Sequence, residues 1–193
     1  STASKETKAD AIKELCDIFV ESETYFTFVF GNHDDEQGVS REELFEMYKL
    51  YGGKYCLAYD AVPELSGVGT HNLTVKSSDG KKIAYNLYMF DSNSSVYDDE
   101  GEWLGYDCVH PDQIEWYKNT AASVKAANGG ETVNDIAFQH FVVQEINEMM
   151  FYDFPIALGE VTRNYDGKSY TYLPFVHNIK EGYLLEAPCP GYY

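Results

Sequence analysis

Positive charge is scarce in this sequence. Fourteen lysines and arginines face 32 aspartates and glutamates, a formal net charge of −18. Phosphate contacts in nucleic-acid binding need lysine and arginine, so the composition excludes a nucleic-acid partner held through a basic patch. Cysteine is sparse as well. Cys16, Cys56, Cys108 and Cys189 lie far apart with no Cys-x-x-Cys pair, which argues against zinc-ribbon and thioredoxin readings. No apolar run reaches the roughly 20 residues that a membrane helix needs. There is no internal repeat and no low-complexity tract.

What is present is an ordinary globular composition, 44% hydrophobic, with 17 tyrosines. At 193 residues it is long enough for one domain with a sizeable core. Residues 5 to 21 place Ile12, Leu15, Cys16, Phe19 and Val20 on one face of an amphipathic helix, so Cys16 is expected in the core. Tyr25 to Phe30 follow as an unbroken β-branched and aromatic run, the pattern of a strand buried on both faces. Ser40-Arg41-Glu42-Glu43 is a capping box opening a second helix, which Gly52-Gly53 ends.

Tyr55 to Asp60 suit a short strand. Residues 71 to 90 read as a hairpin turning at Ser78-Asp79-Gly80. Residues 92 to 107, with Asp98, Asp99, Glu100 and Glu102, read as a polar, solvated loop without calcium-loop spacing. Pro111 opens a third helix that Gly129-Gly130 closes. Asp135 to His140 form another buried strand. Beyond it come a helical patch near 144–151 and a hairpin around Asp166-Gly167.

Ligand-type residues stand at the ends of two of these strands. Gly31-Asn32-His33-Asp34 follows the first, and His140 ends the second. In open α/β sheets, sites gather beyond the carboxyl ends of strands. A lone histidine at such a place is more often a structural residue than a ligand.

Gly31-Asn32-His33-Asp34 resembles the Gly-Asn-His-Asp/Glu motif of the calcineurin-like metallophosphoesterases. Four further blocks follow: Tyr88-Met89-Phe90-Asp91-Ser92, Gly105-Tyr106-Asp107, Pro111-Asp112-Gln113-Ile114-Glu115-Trp116 and Ala137-Phe138-Gln139-His140. Their order and spacing are similar to the purple-acid-phosphatase-related branch. The resemblance implies a layered α/β phosphoesterase fold, two packed sheets flanked by helices, incomplete at both ends. The Asp-x-His, Gly-Asp and Gly-His-x-His motifs of that family are absent. Residues 1–193 are therefore expected to be a single partial domain.

The resemblance also implies a chemistry. Asn32 and His140 would bind one metal of a dinuclear centre of Fe, Zn, Mn or similar ions. His33 would donate a proton to the leaving-group oxygen, and Asp34 would fix its tautomer. Asp34 could equally cap a turn. Two cations about 3.5–4 Å apart would clamp a small phosphate ester for in-line hydrolysis. Two neutral ligands cannot hold such a pair, so this chain alone is expected to be inactive. Val142 and Gln144 stand where the family usually has prolines after the metal histidine. His71, His110 and His177 match no family ligand position, and His110 precedes Pro111 as a helix cap. The competing readings are a degenerate phosphoesterase fold that binds without catalysing, and an unrelated α/β domain with a chance Gly-Asn-His-Asp.

Overall fold

A computed structural model describes residues 5–36 and 38–143, together with the strand backbones at 161–165 and 168–172. Three α-helices form among these residues: α1 (Lys5–Glu21), α2 (Arg41–Gly52) and α3 (Pro111–Ala127). A mixed three-stranded sheet has the order β1 (His71–Lys76), β2 (Ile83–Met89), β5 (Asn134–Phe138). Two antiparallel pairs accompany it: β3 (Ser95–Tyr97) with β4 (Trp103–Tyr106), and β6 (Val161–Tyr165) with β7 (Lys168–Tyr172). The class is mixed α/β.

Local signals set most of these elements. The Ser40 side chain accepts from the Glu43 amide at 3.3 Å, and the Glu43 carboxylate accepts from the Ser40 amide at 3.2 Å. Two orphan donors at the α2 start are thereby satisfied. Ser40→Ala should lower the unfolding free energy by about 1 kcal/mol, read as a lower midpoint in urea with an unchanged slope. At the other end Gly53 takes φ +50° and its amide bonds back to the Lys49 carbonyl, a conformation that disfavours any side chain.

The sheet combines a hairpin and a crossover. β1 and β2 are antiparallel, pairing His71 with Met89 and Leu73 with Leu87. β2 and β5 are parallel, pairing Leu87 with Ile136 and Met89 with Phe138. Parallel neighbours require a crossover, and α3 lies within it. In consequence the chain leaves β2 at Phe90-Asp91 and β5 at Gln139-His140 on the same rim. The Phe90 amide still bonds the Phe138 carbonyl at 2.9 Å there.

Several expectations need correction. Tyr25–Phe30 is extended but is not a ladder strand. It makes one parallel bridge, Phe26 with Cys56, through bonds to the Tyr55 carbonyl and the Leu57 amide. Phe26 and Phe28 are half-buried under other rings instead, while Tyr25 is 61% exposed. Phe26 stacks on Phe19 of α1 at 4.4 Å, and Phe28 meets Tyr48 of α2 at 4.2 Å. The apolar run was therefore a packing signal and not a pairing signal. Residues 53–55, at the start of the expected 55–60 strand, form a 3-10 turn. β5 is not buried: Ile136 and Phe138 are 43% and 48% exposed.

The 92–107 segment is a hairpin rather than a loop. Asp98 accepts from the amides of Glu100 and Glu102, and Gly101 sits at φ +85° in the turn. The acidic residues thus build the turn between β3 and β4. The helical patch near 144–151 lies outside the described residues, as does His177. The late hairpin is present as β6 and β7, with its turn residues 166–167 also outside.

A cluster of buried side chains joins α1, α2 and the extended segment. It contains Ile12, Cys16, Phe30, Leu44, Phe45, Cys56 and Ala58. Cys16 is fully buried, as its helical face predicted, and burial pushes its thiol up to about 11.

Candidate functional site

The 31–36 turn connects the extended aromatic segment to the approach of α2. Phe30 is buried at 2% exposure and anchors the segment in the core. Gly31 then passes directly beneath the His140 ring. A Cβ at position 31 would lie 3.1–3.3 Å from three ring atoms, so glycine is what permits the approach. Asp34 folds back, its carboxylate accepting the Gly31 amide at 2.7 Å. From α1, Lys8 donates to the carbonyls of Asp34 and Glu36. The turn is therefore held from both sides.

This geometry brings Asn32 and His140 together. The His140 Nε2 lies 2.8 Å from Asn32 Oδ1. Asn32 is buried while the His140 side of the pair opens to solvent. The amide oxygen can only accept, so Nε2–H donates in this state. Two ligand atoms about 2.0–2.1 Å from one ion would sit about 2.9 Å apart at right angles and about 3.4 Å apart in the tetrahedral arrangement of zinc. The 2.8 Å separation is that of a hydrogen bond, and both atoms are of ligand type. The pair does not by itself fit a dinuclear centre. Among the described residues, the cluster of three or more His, Cys, Asp and Glu donors that could share an ion lies elsewhere and does not contain His140.

His33 is placed at the exposed tip of the turn, its side chain 72% accessible. The carboxylate on its Nδ1 is Glu36, at 2.7 Å. Asp34 takes the turn-closing role, and the partner expected from the motif is supplied two residues later. Glu36 was not singled out from the sequence because an Asp adjacent in the motif was the obvious candidate.

Arg41 is the main residue that motif reading missed. Although charged, it is buried at 7% exposure, at the first turn of α2. Its guanidinium donates to the Asp91 carboxylate, to Asp35 at 3.2 Å, and to the carbonyls of Gly31 and Asn93 at 3.0 and 2.9 Å. Asp91, 1% exposed, also accepts the amides of Val68 and Asn93. Arg41 thus ties the Gly31 turn to the end of β2. Asp91 stood in the sequence at a strand end inside a recognised block, a signal of place without a role.

Beside this junction lies an open cavity of about 690 Å³ whose lining includes Asp35, Arg41, Asp91, Asn93, Ser94 and Asp107. Ser94 reaches the Asn32 carbonyl at 3.4 Å, so cavity and turn adjoin. Its lining mixes acidic, neutral polar and apolar residues, and two of the acids, Asp35 and Asp91, are paired with Arg41.

The other described histidines differ. His71 is fully buried. Its Nδ1–H donates to the Gly69 carbonyl and its Nε2 accepts from the Thr27 hydroxyl, both at 2.7 Å. Burial lowers its pKa from the ordinary value. A neutral ring is favoured in the folded state only, so its contribution is complete above about pH 6.5 and is lost as pH falls through the depressed folded value. Urea midpoints should therefore fall on acidification from about pH 7 toward about pH 5, with a shallower fall in His71→Gln. His110 is the residue before α3, as its place ahead of Pro111 suggested, and contacts Asp107 at 2.8 Å.

No family model matches this chain, and no solved structure matches it. Over 107 residues it is 33% identical to an uncharacterized protein of Schizosaccharomyces pombe. That match covers 55% of this chain and 19% of the yeast protein, so the chain aligns with about a fifth of that relative's length.

Proposed function

We propose that this chain is the central part of a calcineurin-like metallophosphoesterase, in which Asn32 and His140 hold one of two metal ions. The observation that carries the proposal is the 2.8 Å approach of Asn32 Oδ1 and His140 Nε2. Two side chains from distant parts of the sequence bring ligand-type atoms close enough for both to turn to one ion. The shared rim of β2 and β5 supports the layered fold that the resemblance implies.

When bound, the ions supply the positive field for phosphoester hydrolysis. The chain's own residues supply the rest. Asn32 and His140 fix one ion's place. Gly31 lets the backbone pass under the ring. His33, oriented by Glu36 at Nδ1, carries a proton on Nε2 toward the leaving-group oxygen. Arg41 and Asp91 hold the turn against the strand ends.

A second reading has one observation of its own. The Asn32–His140 hydrogen bond is complete without an ion, as a binding module that has lost catalysis would also have it.

Expression of the 193-residue chain beside a version extended by its flanking coding sequence distinguishes them. The short chain should hydrolyse a generic phosphomonoester at the background rate. The extended one should show metal-dependent turnover. An extended protein that binds metal without turnover would support the binding module, and one with neither would overturn the phosphoesterase assignment.

A further inference from the structure

We propose a second, independent metal site: Asp107, Cys108 and His110 bind a single zinc-like divalent ion at the junction between β4 and α3. Their ligand atoms (a carboxylate oxygen, the thiol sulfur and an imidazole nitrogen) all lie within 4.8 Å of one another. Cys108 is buried at 6% exposure and is a thiol. The side chains of Asp107 and His110 are 16% and 23% accessible. This site shares no residue with the Asn32–His140 pair and does not depend on the phosphoesterase reading.

The donor set defines the ion. A thiolate, an imidazole and one carboxylate form a borderline combination that suits zinc or cobalt rather than magnesium or calcium. Three protein ligands with one open position is also a recurring zinc arrangement. Around a four-coordinate zinc, ligand atoms lie about 3.3–3.8 Å apart. The Asp107–His110 pair, at 2.8 Å, would open by about half an ångström, and the thiol sulfur would close on both.

The backbone is already fixed for this task. Asn93 donates its side-chain amide to the Cys108 carbonyl at 2.8 Å, and Gln113 accepts the His110 amide at 2.7 Å. Pro111 then opens α3. The Asp107 carboxylate accepts from both the Cys108 amide and His110 Nε2 at 2.8 Å. A cation would displace the thiol proton to solvent and take the imidazole as a neutral ring, so binding releases a proton. Asp107 also lines the open 690 Å³ cavity, which gives an ion a route from solvent.

An aspartate–histidine pair at a helix start can exist without any metal. The thiol is what separates the two readings, because an ordinary cap makes no use of Cys108. Zinc-loaded wild-type chain, studied by X-ray absorption, should show one sulfur neighbour at about 2.3 Å with nitrogen and oxygen neighbours. A shell of nitrogen and oxygen alone would overturn the proposal. In parallel, cobalt should give a thiolate charge-transfer band that is lost in Cys108→Ser and His110→Ala and kept in His140→Ala. A band that survives Cys108→Ser would place the ion on another cysteine and also overturn it. Where Cys108→Ser fails to fold, Cys108→Ala and single serine variants of Cys16, Cys56 and Cys189 make the assignment: the band should persist in those three, and its loss in one of them would overturn the proposal.

Discussion

Replacing Arg41 with methionine should lower the unfolding free energy by about 3–5 kcal/mol, the cost of leaving a desolvated partner charge without its counterion. Asp91 is 1% exposed and would keep only its two amide donors, from Val68 and Asn93. The carbonyls of Gly31 and Asn93 would also lose a charged donor. Adding Asp91→Leu to Arg41→Met should recover part of the loss, because removing both charges of a buried pair costs less than removing one. Recovery should be incomplete, since the Val68 and Asn93 amides would then be orphaned. Urea denaturation of the two single variants and the double variant gives the cycle. A loss below about 1 kcal/mol in Arg41→Met would match an exposed ion pair and contradict this description of the junction.

The second large effect separates two histidines that stand on either side of one turn. In a metal-loaded extended protein, His33→Ala should lower phosphomonoester turnover by about 10²–10⁴, the usual worth of a positioned acid or base. Bound metal should stay nearly unchanged, because His33 is at the exposed tip with Glu36 on its ring. His140→Ala should instead lower the metal content, and turnover should fall with it. Metal analysis and rate on the same preparations make the comparison. Equal metal loss in both variants would show that His33 is a ligand and that its assigned role is wrong.

Elements with strong local signals were legible in the sequence. Lys5–Glu21, the Ser40 capping box, Pro111 at the start of α3 and the 71–90 hairpin each rest on a periodicity or a cap within a few residues. Tyr25–Phe30 was misread because a continuous apolar run reports burial without saying what buries it. Here the rings of Phe19 and Tyr48 pack on Phe26 and Phe28, Tyr25 stays exposed, and a single bridge is the segment's only pairing among the described residues. The β3–β4 hairpin was hidden because its strands are three and four residues long, and its turn is built from charges that read as solvated loop.

At the site, Asn32 and His140 do converge, but not as two ends of one sheet: His140 follows β5, whereas Asn32 follows a segment that packs outside the ladder. The roles of Glu36, Arg41 and Asp91 were not legible, since each depends on a contact that no spacing in the sequence encodes. Arg41 lay inside the recognised cap of α2, but nothing local says that its guanidinium turns inward to a carboxylate fifty residues away.

The central claim is that Asn32 and His140 are ligands of one ion. Titrating the isotope-labelled chain with Mn²⁺, and following side-chain signals by paramagnetic broadening in NMR, tests this most directly, because it detects weak binding and needs no turnover. The Asn32 amide and His140 imidazole signals should broaden at the lowest added metal, ahead of the acidic β3–β4 turn at Asp98 to Glu102. If those two signals stay sharp while the acidic turn broadens, Asn32 and His140 form only a hydrogen bond, and the metal assignment fails.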